Sequence, residues 1–591
     1  MIVSRAKSVH PGVLRRFGPR GGRPLIVLCA VSAVLCLNLL SFTPAGADAY
    51  WTNAIEIPGL AMLNQTTAAT GPMVCTSSGN CVSGGGFTDG SSDEQAFISQ
   101  ETNGVWSKAT EVAAPLNVGG QAAIIAISCP SVGSCTAEGS YTDNIGAIHT
   151  FVLNQVNGTW GFPTEVPDFT TLTLEDASEM TTLSCSSTAT CVGVGSFVDH
   201  TTGSAQPIIF NETNGEWAAP LEVQGAAAFN PNGIAIVGGL DCPSATSCVA
   251  GGDVLDATAT ATTLVPFFIT FANGAWGPIE AIPGLAGLSR EGEAALTALS
   301  CGAPGDCGAG GNYLDASGQS QAFTVNEVGG VWSSATQLFA TQLLGSGLSN
   351  SLISEACPSA GDCSAIGSYA DAKGNPQPFD VDETNHVWSA ATEIPGVNTL
   401  NDGDGAALTT ISCSAPGACS AGGTYADSDS NDQAFLVNET SNSWSNPIEV
   451  PGTPSLNKGG SATIYAVSCS VDGSCGVLGS YTDAKQNTQI FVTNSSPLAP
   501  TSVSSAPRHV TAVDKVGVIT VHWSAPASDG GTAITSYSVI SLPKSKTCVT
   551  SSTTCTFKGL NKTIHYTFAV RATNKDGASA LSAKSNAVRA R

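Results

Sequence analysis

Residues 411–427 read ISCSAPGACSAGGTYAD. Cys413 and Cys419 stand six positions apart, Gly422 and Gly423 follow, then Tyr425, and Asp427 lies eight positions after the second cysteine. The same C-x5-C spacing recurs at Cys75 and Cys81, Cys129 and Cys135, Cys185 and Cys191, Cys242 and Cys248, Cys301 and Cys307, Cys357 and Cys363, and Cys469 and Cys475. Tryptophan keeps the same beat of about 56 residues, at Trp51, Trp106, Trp160, Trp217, Trp276, Trp332, Trp388 and Trp444. Trp523 falls outside the array.

Each unit divides into four short extended stretches, in the quoted copy AALTTISC (406–413), SAGGTYAD (420–427), QAFLVNE (433–439) and WSNPIEV (444–450). They are rich in β-branched and aromatic residues and are separated by Gly, Asn, Asp or Ser clusters. Eight four-stranded meanders at this period predict an all-β chain built as an eight-bladed β-propeller, with an open β-solenoid as the competing architecture. The ends bear on that choice. WTNAIEI (51–57) is a fourth strand with no partner before it, and QIFVTN (489–494) ends the eighth unit with no tryptophan strand after it. The N-terminal strand is therefore expected to complete the last blade and hide two edges.

C-x5-C sits across the first hairpin of each unit, where two strand ends come within disulfide reach. Eight disulfides are expected, each joining the two cysteines of one unit. Zinc would need tighter spacing and a second ligand pair, and only His149, His200 and His386 occur in the array, so no metal is expected there. Cys29 and Cys36 lie in a leader, which leaves 18 cysteines, an even number that suits an exported, oxidised protein. Residues 1–49 read as a signal peptide: six Lys and Arg, an apolar run from Pro24 to Phe42, and Ala47-Asp48-Ala49 before Tyr50. An uncleaved anchor is the alternative.

The charge is lopsided. From Tyr50 to Leu498, five basic side chains face 42 carboxylates, a net charge of −37, whereas from Ala499 onward 11 Lys and Arg face three Asp, a net of +8. A body that negative repels phosphate backbones, so nucleic acid is excluded as its partner.

The pattern SC-x-S-x-G-x-C-x-A-x-G-x-Y-x-D followed by NGxW resembles repeats of secreted bacterial propellers of the kelch-like or sialidase-like kind. ETNGVW (101–106) partly resembles the Asp-box of the third-to-fourth strand turn, with its Asp replaced. After a Pro/Ser linker at 495–507, residues 508–591 resemble a fibronectin type III domain. The resemblance rests on ITVHWSAP (519–526), ITSYSVI (534–540) and GLNKTIHYTFAVRATNKDG (559–577). It implies Trp523 as a core tryptophan and Leu560 with Tyr566 as the tyrosine corner. Cys548 and Cys555 are expected to close one more disulfide.

Candidate chemistry follows the repeat and its breaks. The aspartates eight after the second cysteine, Asp89, Asp143, Asp199, Asp256, Asp315, Asp371, Asp427 and Asp483, fall in the second-to-third strand turn. They read as Asx-turn caps or as a carboxylate crown facing Ca²⁺ or polyhydroxylated ligands. The inter-unit loops add Asp168, Glu175, Asp176 and Glu179, then Arg290, Glu291 and Glu293, then Asp402 and Asp404. Paired carboxylates are what glycoside hydrolysis requires. Arg290 is the only arginine of the array, and the sialidase family clamps its substrate with three, so that activity is excluded.

The resulting expectation is a monomeric, secreted or cell-surface, non-enzymatic binding or adhesion protein that presents propeller-face loops to extracellular glycan or surface protein. No cofactor is expected beyond optional Ca²⁺, and no membrane span after signal cleavage. A polysaccharide-active hydrolase or lyase using loop carboxylates is one alternative, and a structural cell-surface component is another.

Overall fold

In the seventh unit the quoted stretch forms a hairpin. Ala406–Ala415 and Ala418–Ala426 pair antiparallel with Cys413 directly opposite Cys419. Their Cα atoms are 4.0 Å apart, the close pair type of an antiparallel ladder, and the disulfide closes there. The other seven units close the expected bonds too. Cys75 is joined to Cys81, Cys129 to Cys135, Cys185 to Cys191, Cys242 to Cys248, Cys301 to Cys307, Cys357 to Cys363 and Cys469 to Cys475. Across all eight pairs the Cα separations are 3.9 to 4.1 Å. The Gly-Gly that follows is forced by close approach. A Cβ on Gly423 would collide with the Ala407 carbonyl, and one on Gly422 would meet the Ile464 side chain of the next unit at 2.8 Å.

The computed structural model describes residues 51–167, 178–187, 189–199, 204–229, 233–256, 263–272, 274–290, 293–338, 349–401, 405–495, 503–526, 534–574 and 577–590. The expected leader, linker residues 496–502, and the candidates Asp168, Glu175, Asp176, Glu291, Asp402 and Asp404 lie outside them. Asp199 and Asp256 are described as strand backbone only.

Each unit adds a third antiparallel strand, such as Pro376–Thr384, to its hairpin. The fourth strand departs from expectation. In place of one continuous segment, unit six has Val387–Trp388 and Thr392–Glu393, both paired with the third strand. The register shifts by one residue between the two pieces, since Glu383 opposes Trp388 but Phe379 opposes Glu393, and units two, three and four split in the same way with Gly161, Ala218 and Gly277 after the tryptophan. In unit six the Ser389 N–H donates to the Asp382 carbonyl at 2.8 Å, and within the bulge the Asp382 N–H donates to Ser389 Oγ at 3.1 Å, so a hydroxyl fills one ladder position. Ser107, Ser333 and Ser445 repeat the arrangement at 3.1 Å.

Successive units pack face to face. Phe97, Phe151, Phe267, Phe323, Phe379, Phe435 and Phe491 hold one third-strand position and are buried, with Ile208 in their place in unit three. Each such ring stabilises the fold by roughly 1.5–3 kcal/mol relative to exposure. Inner strands are tied in sequence: Ser412 Oγ accepts from the Cys469 N–H at 2.9 Å, and Ser468 Oγ accepts from the Cys75 N–H at 2.9 Å. The second of these joins the last unit to the first. Ile55 and Glu56 pair with Val492 and Phe491, Trp51 bridges Ser495, and Ile57 packs with Leu478, Ile490 and Val492. Asp472 of the last unit accepts from the Ser78 N–H at 2.8 Å. Unit one thus meets unit eight through contacts of the kind that join units seven and eight.

The C-terminal residues fold as two sheets. Arg508–Lys515, Val518–Ser524 and Thr554–Lys558 form one, and Thr547–Thr550, Ser536–Leu542 and His565–Asn574 with two short edge pieces form the other. Trp523, Tyr537, Phe557, Tyr566 and Phe568 fill the space between. Tyr566 Oη accepts from the Asn561 N–H at 3.1 Å, which is the expected tyrosine corner. Cys548 and Cys555 cross-link the two sheets. Among the described residues no helix is long and apolar enough to cross a membrane.

Ile57 is fully buried against the last unit. Ile57→Ala is expected to cost about 2–5 kcal/mol in urea denaturation of the mature protein. It should lower the whole array's transition rather than detach one end.

Candidate functional site

Six of the eight turn aspartates, those whose side chains are described, satisfy their own turns. Asp427 Oδ1 accepts from the Asp429 and Asn431 N–H groups, each at 2.9 Å, and Oδ2 accepts from Gln433 Nε2 at 2.8 Å. Asp89, Asp315, Asp371 and Asp483 accept the same pair of backbone donors, at 2.7 to 3.1 Å. In unit two Asp143 does so at 2.9 Å, with His149 in the place of the glutamine. The glutamines pass the chain on. Asn117, from the segment after unit one, donates to Gln95 Oε1 at 2.9 Å, and Asn64, ahead of the first hairpin, donates to Gln489 Oε1 in the last unit at 3.1 Å. These asparagines are not among the sequence candidates, and their signal is an Asn after a leucine in each of those segments. The Ser91 N–H chiefly holds Asp89 below the usual carboxylate range. At Asp315 the Ser317 hydroxyl leads, with the Gln319 N–H behind it, and the direction is the same. Arg290 and Glu293 sit beside one of these turns, through backbone bonds to Leu314.

At the opposite end of five of the units a glutamate is buried between neighbours: Glu101, Glu212, Glu327, Glu383 and Glu439. Asn494 Nδ2 donates to Glu101 Oε1 across the junction of the last and first units, and Asn326 Nδ2 donates to Glu383 Oε1 between units five and six. Between units six and seven the donor position is occupied by Asp382, which offers no N–H, and both oxygens of Glu439 are left without a donor. Burial, reinforced by Asp382 and Asp380, pushes Glu439 up to about 8. Burial chiefly raises Glu383 to about 7, against the pull of His386.

Glu179, a candidate from sequence, lies beside Glu138 of unit two, which sequence reasoning missed. Glu138 is fully buried, both its oxygens lack donors, and burial with repulsion from Glu179 holds it well above the usual carboxylate range. Its seat, three residues after the second cysteine, carries Gly, Val, Ile or Leu in the other units. Glu355 takes a second apolar seat, two residues before the first cysteine, over Gly308 of unit five. It groups with Cys357 and Cys363, but those sulfurs are joined to one another and are not metal ligands.

The tryptophans face the preceding unit. Trp160 Nε1 donates to Gln100 Oε1 at 3.0 Å, Trp388 Nε1 donates to Asn326 Oδ1 at 2.8 Å, and Trp332 stacks on Phe268 at 4.0 Å. The glutamate five positions later partners a tyrosine, as in the 2.7 Å bond from Tyr481 Oη to Glu56. A concave groove of about 530 Å³ opens beside Trp160, between units one and two. Its walls are Trp160, Phe162, Pro163, Leu153 and the segment Ala113–Pro115, with Ser99, Gln100, Ser107, Thr110, Glu111 and Thr159 as polar groups. Phe162 is 92% exposed. Other units place Lys108, Ala219, Pro278, Ser334, Ala390, Asn446 and Asn53 at that position, so the aromatic ring is a break in the repeat. A mostly apolar concavity with a few convergent polar groups has the make-up of a small-ligand site.

The fibronectin type III domain family model matches residues 505–588. A search of curated proteins gave no match. Among solved structures, the chain is similar to a protein of unknown function from Dyadobacter fermentans, at 9% identity over 76% of this chain and 99% of that one, TM-score 0.34. It is similar to the Hadza microbial sialidase at 12% identity, over 58% and 68% of the two chains, TM-score 0.29. Titin kinase with its flanking domains shares 30% identity over 15% of this chain, TM-score 0.14, and this chain spans 18% of its length.

A carboxyl whose folded value exceeds its unfolded value of about 4.3 keeps a proton that the unfolded chain has released. For Glu383 and Glu439 the stabilisation is therefore full below about pH 4 and lost as pH rises toward about 8. Thermal melting should be higher at about pH 5 than at about pH 8. Asp382→Asn, which supplies the missing donor, should narrow that gap, as should Glu439→Gln.

Proposed function

We propose that this chain is an exported, non-enzymatic binding protein whose eight units close into one eight-bladed β-propeller and whose groove between units one and two takes an uncharged glycan. Closure draws its support from the pairing of Ile55–Glu56 with the last unit and from the repeated serine and asparagine links at that junction. Export draws its support from nine disulfides, which persist in oxidising compartments. The fibronectin type III domain fits the role of a module carried beside a binding head.

The observation that carries the reading is Phe162. An almost wholly exposed aromatic side chain beside Trp160 and Pro163, with hydroxyls of Ser107, Thr110 and Thr159 in the same groove, suits one face of a pyranose ring against the Phe ring and its hydroxyls on the polar groups. The net charge of −37 disfavours anionic saccharides there.

Glycan-array binding of the mature chain, followed by calorimetry on the best neutral ligand, tests this. Phe162→Ala should weaken binding about tenfold, close to 1.4 kcal/mol. Lys108→Ala, at the same position of unit one, should leave it unchanged. Binding that ignores Phe162→Ala overturns the groove. Release of new reducing ends overturns the non-enzymatic reading in favour of a polysaccharide-active enzyme.

A further inference from the structure

The C-terminal domain gathers its positive charge at one end. Lys515 ends the first strand and pairs with Val518, whose partner on the other side is Lys558. Lys544 and Lys546 occupy the turn between Ser536–Leu542 and Thr547–Thr550, and Lys546 Nζ donates to the Lys558 carbonyl at 2.6 Å. Arg589 Nε donates to the Lys562 carbonyl at 2.8 Å. These contacts bring Lys515, Lys544, Lys546, Lys558, Lys562 and Arg589 to one pole, and all six are exposed. Lys546 and Arg589 are held by neutral carbonyl groups, which fix their place without cancelling their charge. Asp514 is the one carboxylate among the domain's described residues.

We infer that this basic pole of the fibronectin type III domain binds a linear polyanionic glycan, one bearing carboxylate, sulfate or phosphate groups along its length. Five lysines to one arginine present point charges, which suit repeated anionic groups on a flexible polymer better than one fixed planar partner. Counter-ion release along such a polymer supplies affinity that falls steeply with salt. The charge distribution of the chain assigns the contact to this pole alone: the array at −37 repels the same polymer that a domain at +8 attracts. A molecule of this kind meets an anionic surface through its C-terminal domain and keeps its propeller clear of that surface. The site is separate from the Phe162 groove, and Phe162→Ala leaves it intact.

The full mature chain is passed over immobilised polygalacturonate, dextran sulfate and uncharged dextran. Retention is expected on the two charged matrices at about 50 mM salt, with release by about 300 mM, and none on dextran. Lys515→Glu, Lys544→Glu and Lys562→Glu together avoid the two side chains bonded to backbone, and should reduce retention at least about tenfold with an unchanged melting temperature. Lys108→Glu with Lys373→Glu, which removes the same kind of charge from the array, should not. Comparison of the carboxylate and sulfate matrices identifies the preferred anion. The proposal is overturned if the chain is not retained, if dextran retains it equally, or if the triple variant binds as before. Salt-sensitive self-association in sedimentation, abolished by the triple variant, would overturn it too, since the pole would then be paired with the acidic array of a second copy.

Discussion

Every repeat unit here is incomplete on its own. A four-stranded meander with one ring-bearing face leaves that face wet and an inner strand unsupported unless a neighbour covers both. The structure answers with a small set of links reused along the chain: a serine hydroxyl to a cysteine N–H, an asparagine to a glutamine, a tryptophan N–H to an amide oxygen. The junction of units eight and one uses the same vocabulary, with Ser468, Asn64 and Asn494 in the roles that Ser412, Asn457 and Asn326 hold elsewhere. The chain's N-terminal strand then supplies the edge the last meander lacks. Stability of the array is therefore a property of its junctions more than of any single unit, which is why a side chain as small as Ile57 carries weight beyond its own buried area.

That architecture explains what could be read in the sequence. Cysteine spacing, the tryptophan beat and turn composition are local signals, and they repeat, so the hairpin disulfides and three of the four strands of each unit were legible residue by residue. The split fourth strand was not, because a one-residue bulge after the tryptophan leaves the composition of the segment unchanged and strand propensity does not register it. The turn aspartates were legible as a repeat, yet their work depends on Gln433-type partners six residues on and asparagines from the adjoining inter-unit segments. Those are non-local contacts, visible only once the units are side by side. Phe162 escaped notice because an exposed aromatic in a short loop has no period. Placing the units in register at the residue two after the tryptophan exposes it at once.

The same registration isolates the buried acids. Glu138 and Glu355 occupy seats that are glycine or apolar in their sister units, and Glu439 faces Asp382 where Glu101 and Glu383 face an asparagine amide. In a stack of near-identical modules an apolar seat is the cheap solution, and an enclosed carboxyl without a donor is costly unless it is neutral. A protonated acid is a small polar group that resembles an amide in size and charge. These positions are thus compatible with the fold in acid and increasingly strained as their protons leave. Asp89 and Asp315 behave in the opposite sense, since the Ser91 N–H and the Ser317 hydroxyl favour their charged forms. The array therefore contains two populations of carboxyl groups with opposed preferences, one at the turns and one at the junctions, and its best conditions lie between the pH that would neutralise the first and the pH that would ionise the second.

Charge also organises the chain as a whole. An array at −37 would repel itself along its length, and the eight short covalent loops hold each hairpin closed against that repulsion without occupying core volume. Acidity of this degree also narrows what the array can touch, leaving neutral saccharides and cationic groups as favourable contacts. The C-terminal domain reverses the sign, and it does so with side chains that converge rather than scatter. Two opposite fields on one chain divide its surfaces between two classes of partner, and a division of that kind would be lost if either domain had been built near neutrality. The basic pole then offers what the electrostatics of the array excludes.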